Sequence, residues 1–102
     1  MYIENISAKE LRKYIYDRNY EIIDLRNFSE YQQSHVMNAV HLASEDIISG
    51  NLKKITTENV ILYCDRGGES IRMARILASR GYQVKNVIGG FHEIKIYVDL
   101  LV

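Results

Sequence analysis

Short apolar runs alternate with helix-patterned segments along almost the whole chain, and this alternation restricts the fold more than any other feature. The runs are EIIDL (Glu21 to Leu25), AVHL (Ala39 to Leu42), VILYC (Val60 to Cys64) and QVKNVI (Gln83 to Ile88). ISAKELRKYIYD opens on Ser7 with Glu10 three residues later, a capping-box pattern. Leu11, Tyr14 and Ile15 then follow at helical spacing. NFSEYQQ (Asn27 to Gln33) reads as a short helix, and SEDIIS as another with Ser44 as cap and Gly50 as stop. SIRMARILASRG is the clearest helix, with Ile71, Ala74, Leu77 and Ala78 on one face and Gly81 at its end. Gly89 and Gly90 make a turn, and FHEIKIYVDLLV is expected to close the chain as a helix. Strands that alternate with helices form a parallel sheet, since each helix carries the chain back to the edge it started from. VILY is apolar on both faces, as a central parallel strand must be. The expected architecture is therefore α/β, a central parallel β-sheet with helices on both faces. A chain of 102 residues has room for one such domain, residues 1–102.

Charge and hydropathy remove several function classes. Thirteen basic residues balance thirteen acidic ones, which argues against a nucleic-acid binder working through a broad basic face. No apolar run approaches the ~20 residues of a membrane-spanning helix. The opening MYIENISAKEL lacks the basic-then-apolar layout of a secretory leader. One cysteine cannot form an internal disulfide, which agrees with a reducing compartment. A cytoplasmic location is expected.

That cysteine, Cys64, stands at the carboxyl end of VILY. Ligands of open α/β sheets sit beyond that end of the strands. Asp65, Arg66, Gly67, Gly68 and Glu69 follow, and a helix starts near Ser70. A helix N-terminus offers free N–H groups and a dipole that favour an anion. The two glycines permit backbone angles that turn several N–H groups inward, making an anion cradle. Such a cradle suits a thiolate, the reactive form of cysteine, and equally a persulfide (R–S–S⁻) built on it. The competing reading is that Cys64 packs as a small hydrophobe, as many free cysteines do. The strand end, the paired glycines and the following helix favour the nucleophile. His41 and His92 have no metal-ligand spacing with Cys64, so no metal is expected.

Two blocks resemble a known family. IIDLRNFSEYQQSHVMNAVHL is similar to the early signature of single-domain rhodaneses, through Asp24, Arg26, Glu30, Tyr31, His35 and Ala39. LYCDRGGESIRMARILASRGY followed by VIGG resembles their active-site loop, its helix, the next strand and the double glycine. The resemblance implies a rhodanese-like fold and a sulfurtransferase. Cys64 would take a sulfane sulfur from thiosulfate, a polysulfide or a protein persulfide and hold it as a persulfide. It would then pass the sulfur to cyanide, a sulfur-relay protein or a thiol such as thioredoxin. No cofactor is implied. Asp65, Arg66, Gly67, Gly68, Glu69 and Ser70 would bind the anion. Asp24, Arg26 and Glu30 would either form an ion-pair network beneath the loop or staple the strand to the short helix, and His35 would be a structural hydrogen-bonder.

The family loop commonly runs Cys-x-x-Gly-x-Arg-Ser. Gly67 and Ser70 match it, but Glu69 takes the arginine position, Ser34 replaces the glycine before the histidine, and Ile94 replaces an aromatic. Asp65 and Glu69 against Arg66 leave the loop at −1, which disfavours the thiosulfate dianion relative to a positive loop. Arg72 and Arg75 read as the solvated face of the helix. Glu69 also supports a second reading, a rhodanese-like binding or regulatory module without turnover, which the retained cysteine opposes. A cysteine phosphatase requires Cys-x5-Arg, and Ser70 stands where that arginine would be.

Overall fold

The computed structural model describes residues 2–102. Five strands, β1 (Ile3–Ile6), β2 (Tyr20–Asp24), β3 (Val40–His41), β4 (Asn59–Tyr63) and β5 (Gln83–Val87), form one sheet in the order β1-β5-β4-β2-β3. Every pairing in it is parallel. The helices are α1 (Phe28–Gln33), α2 (Ser44–Ser49), α3 (Gly68–Ser79) and α4 (Gly90–Ile94), with 3-10 turns at Lys9–Tyr14 and Val98–Leu100. Among the described residues no helix is long and apolar enough to cross a membrane.

Successive side chains of a strand point to opposite faces, and the central strands are apolar on both. Ile22, Ile61, Tyr63 and Val87 therefore pack on one face with Leu11, Ile15, Ile94 and Leu100. Ile23, Val60, Leu62 and Val84 pack on the other with Ile47 of α2 and Met73, Ala74 and Leu77 of α3. The expected parallel sheet with helices on both faces is what the chain adopts.

Several local expectations are corrected. Strand β1 was not foreseen, because only Ile6 of its four residues is fully buried and Glu4 and Asn5 break any apolar run. The capping box of Ser7 and Glu10 forms, with Glu10 N donating to Ser7 Oγ and Ser7 N to Glu10 Oε1, both at 3.2 Å. The segment it opens is a 3-10 turn rather than an α-helix. Ala43, not Ser44, occupies the N-cap of α2, and Ser44 is buried as the first helical residue. Gly50 ends that helix at φ +88°, as expected. The buried stripe of α3 is Ser70, Met73, Ala74 and Leu77, so Ile71 and Ala78 lie at its margins. The last segment is not one helix. Ile94 and Leu100 are both buried, yet a continuous helix would set them about 120° apart around its axis. The chain instead stops α4 at Ile94, turns, and lays Leu101 antiparallel beside Val36.

The observed rotation of α3 has a measurable consequence. Met73→Ala should lower the unfolding free energy by about 2–5 kcal/mol in a urea titration, as a fully buried truncation does. Ile71→Ala at the margin should cost about 1 kcal/mol. Equal losses would put the helix in the other rotation.

Candidate active site

β4 ends at Tyr63 and α3 begins at Gly68, so Cys64 opens a tight strand-to-helix connection. The thiol is buried at 5% exposure against Leu62 and Met73. Its Sγ also accepts two backbone N–H groups, from Gly67 at 3.1 Å and from Ser70 at 3.3 Å. A cysteine packed merely as a small hydrophobe needs no directed donors, whereas a sulfur anion is stabilised by them. Gly67 makes the first contact possible: at φ +105° it turns its peptide under the sulfur, in a region that side chains resist. Gly68 does not share that role. It is the first residue of α3, has no positive φ, and a Cβ added to it would meet nothing within 4 Å.

The loop is clamped from the other side. Phe91 N donates to the Cys64 carbonyl at 2.8 Å, and His92 N to the Asp65 carbonyl at 3.0 Å. This requires α4 to start against the loop backbone. A Cβ on Gly90 would lie 2.5 Å from the Cys64 oxygen and 2.9 Å from that of Asp65. Gly90 also has φ +58°. Gly90, the second of the double glycine, is thus the close-approach residue.

The loop's charges are paired. Asp65 and Arg66 face solvent with 3.9 Å between Oδ2 and Nε. Glu69 meets Arg72 at 2.6 Å, so Arg72 is more than a solvated helix face. The spacing of three residues on a helix was the available signal. With Arg72 counted, two carboxylates face two guanidinium groups, and the net −1 of the loop itself is offset.

Asp24 and Arg26 are both buried and form an ion pair at 2.9 Å. Asp24 Oδ2 also accepts from the Tyr63 hydroxyl at 2.6 Å, and that hydroxyl accepts from Val36 N at 3.1 Å. Burial, with the Asp24 charge added, pushes the Tyr63 phenol far above the usual tyrosine range. Burial alone would lower the Arg26 pKa, and the bonds and charge of Asp24 more than reverse this. The guanidinium lies 3.7 Å from the centre of the Phe91 ring, which joins the pair to the helix that clamps the loop. Of the two readings for Asp24, Arg26 and Glu30, the staple is the one that includes Glu30: among the described residues its carboxylate makes no ion pair, and Arg26 bonds its carbonyl in α1, at 3.5 Å. The His35 ring donates from Nδ1 to the Tyr31 carbonyl at 2.7 Å and stacks on the Tyr31 ring. His41 donates from Nε2 to the Arg26 carbonyl at 2.7 Å. Among the described residues no group of three or more His, Cys, Asp or Glu side chains is placed to hold a metal ion. Two residues here escaped the sequence reading. Tyr63 reads in the sequence only as part of the apolar run VILY, and Asn86, buried in β5, accepts the Ser70 hydroxyl at 2.6 Å.

The family model of the rhodanese-like domain matches residues 7–96. The chain belongs to this family. It is 30% identical over 96 residues to the thiosulfate sulfurtransferase GlpE of Coxiella burnetii, covering 93% of this chain and 90% of that one. It is 30% identical over 98 residues to a probable molybdopterin-synthase adenylyltransferase of Pyropia yezoensis. That match covers 92% of this chain but only 26% of the longer protein. Its fold superposes on the crystal structure of a rhodanese-related protein from Thermoplasma volcanium with a TM-score of 0.83, at 19% identity and with 97% of each chain covered.

The two glycines of different function should respond differently. Gly90→Ala should lose at least about 1–2 kcal/mol of stability from the left-handed backbone alone. The forced separation from the Cys64 carbonyl adds to that loss. Gly68→Ala should be neutral or gain up to about 1 kcal/mol. Denaturant unfolding of both variants checks this, and a costly Gly68→Ala would contradict the assignment.

Proposed function

We propose that the protein is a sulfurtransferase that carries a sulfane sulfur as a persulfide on Cys64. The observation supporting this most directly is the pair of N–H groups converging on a cysteine sulfur at the carboxyl end of a central strand. With thiosulfate, the Cys64 thiolate attacks the outer sulfur, a Cys–S–S⁻ bond forms, the sulfur–sulfur bond of the donor breaks, and sulfite leaves with the electron pair. An acceptor thiolate then attacks the terminal sulfur and carries it off, restoring the Cys64 thiolate. The two half-reactions balance without an external oxidant or reductant, and ping-pong kinetics follow. The loop of Asp65, Arg66, Gly67, Gly68, Glu69 and Ser70 would bind the anion, with the N–H groups of Gly67 and Ser70 aimed at the Cys64 sulfur on which the persulfide is built. Asp24, Arg26 and the backbone around Glu30 and His35 support the loop from below.

Paired loop charges leave no net positive field to draw in a dianion. Monoanionic or protein-borne donors, a polysulfide or a protein persulfide, suit this site better than thiosulfate. A thiol such as thioredoxin, in a reducing cytoplasm, is a fitting acceptor. The same pairing is the observation that favours the alternative, a binding or regulatory module without turnover.

Incubation with thiosulfate, or with a cysteine desulfurase and cysteine, followed by intact-mass measurement separates the two. A gain of one sulfur atom that is absent in Cys64→Ser is expected. No adduct from any sulfane donor would leave the binding module standing. The charge account makes its own demand. Glu69→Arg removes the partner of Arg72 and should raise kcat/KM for thiosulfate about ten-fold at low salt, with the gain shrinking as salt is added. An unchanged value would remove loop charge as the determinant.

A further inference from the structure

We propose that Asn86 is a positioning residue, which fixes the Ser70 N–H on the Cys64 sulfur by anchoring the Ser70 hydroxyl to the sheet. This rests on the reading of Cys64 as the sulfur carrier. Asn86 lies at 5% exposure on β5, beside Leu62 of β4 and Asn5 of β1. It shares its face with Val84, which packs in the same cluster as α3. An apolar side chain would suit that face, and a buried amide there costs desolvation unless its atoms are bonded. Both ends are bonded: Oδ1 accepts from Ser70 Oγ at 2.6 Å, and Nδ2 donates to Asn5 Oδ1 at 3.3 Å.

The satisfaction of Ser70 does not require Asn86. The Gly67 carbonyl lies 3.2 Å from the same hydroxyl and could take its proton. What Asn86 adds is a tether between two independent elements. The sulfur is mounted on β4, and the N–H that meets it is carried by the first turn of α3. First turns lack backbone partners for their N–H groups and open more easily than helix centres. Through Ser70, Asn86 ties that turn to β5, the strand directly paired with β4. Sulfur and donor are then held by neighbouring strands of one sheet, and their 3.3 Å contact no longer depends on the end of a helix.

The test measures three rates in wild type, Asn86→Leu, Ser70→Ala and the double variant. These are alkylation of Cys64 by iodoacetamide, sulfur uptake from polysulfide by intact mass, and unfolding in urea. Each single change should slow alkylation and uptake about five-fold, as loss of one well-placed hydrogen bond to an anion would. KM for the donor should not move. The double variant should be no slower than either single one, because both remove the same tether. A merely structural role would instead shift unfolding while leaving alkylation of the folded protein at the wild-type rate. That result, or losses that multiply in the double variant, would overturn the proposal. If Asn86→Leu does not fold, Ser70→Ala decides alone: a wild-type alkylation rate there refutes the tether. A wild type that alkylates normally yet takes up no sulfur would overturn the sulfurtransferase reading. The alkylation rates would still decide the role of Asn86.

Discussion

The bonds from Phe91 N and His92 N to the carbonyls of Cys64 and Asp65 organise the site. In a trans peptide the carbonyl and the N–H of one unit point opposite ways, so these bonds fix the N–H directions of Asp65 and Arg66. With the start of the loop held there by α4, the chain reaches Gly67 placed so that its N–H meets the sulfur. The contact exists only because Gly90 has no Cβ to keep the two backbones apart. A turn after the last strand thus shapes a loop that lies more than twenty residues earlier in the chain.

A second constraint reaches the same place from below. Asp24 and Arg26 are both withdrawn from water, which is costly for two charges unless the remaining donors and acceptors are used. Here they are: Asp24 also receives the Tyr63 hydroxyl, and Arg26 donates to the carbonyl of Ser34 and lies over the Phe91 ring. Tyr63 is the residue before Cys64, and Phe91 is the residue that bonds the Cys64 carbonyl. The buried pair therefore braces both sides of the thiol without a hydrogen bond to the sulfur. Its role in the fold and its service to the site are one arrangement.

Much of this was legible in the chain. The apolar runs from Glu21, Val60 and Gln83 are strands because only two-sided burial explains residues such as Val60, Ile61 and Leu62 in sequence. Cys64, Gly67 and Ser70 were recognisable because a strand end, a glycine and a helix start are local features. Strand β1 was not, since an edge strand with one fully buried side chain has almost no hydropathy signal. The end of the chain misled for the opposite reason: its apolar residues suggested a helix, but tertiary pairing of Leu101 with Val36 overrode that pattern.

By itself, the sequence determined the α/β alternation, the position of the lone thiol at a strand end and the charge types that surround it. These depend on periodicity and on neighbours a few residues apart. The tertiary structure alone decided that Gly90 rather than Gly68 is the indispensable small residue, and that Asn86 stands under Ser70. The physical reason is one of range. Close backbone approach and buried hydrogen bonds between distant residues are set by which strands lie side by side. That order, β1-β5-β4-β2-β3, is written nowhere in the local pattern of residues.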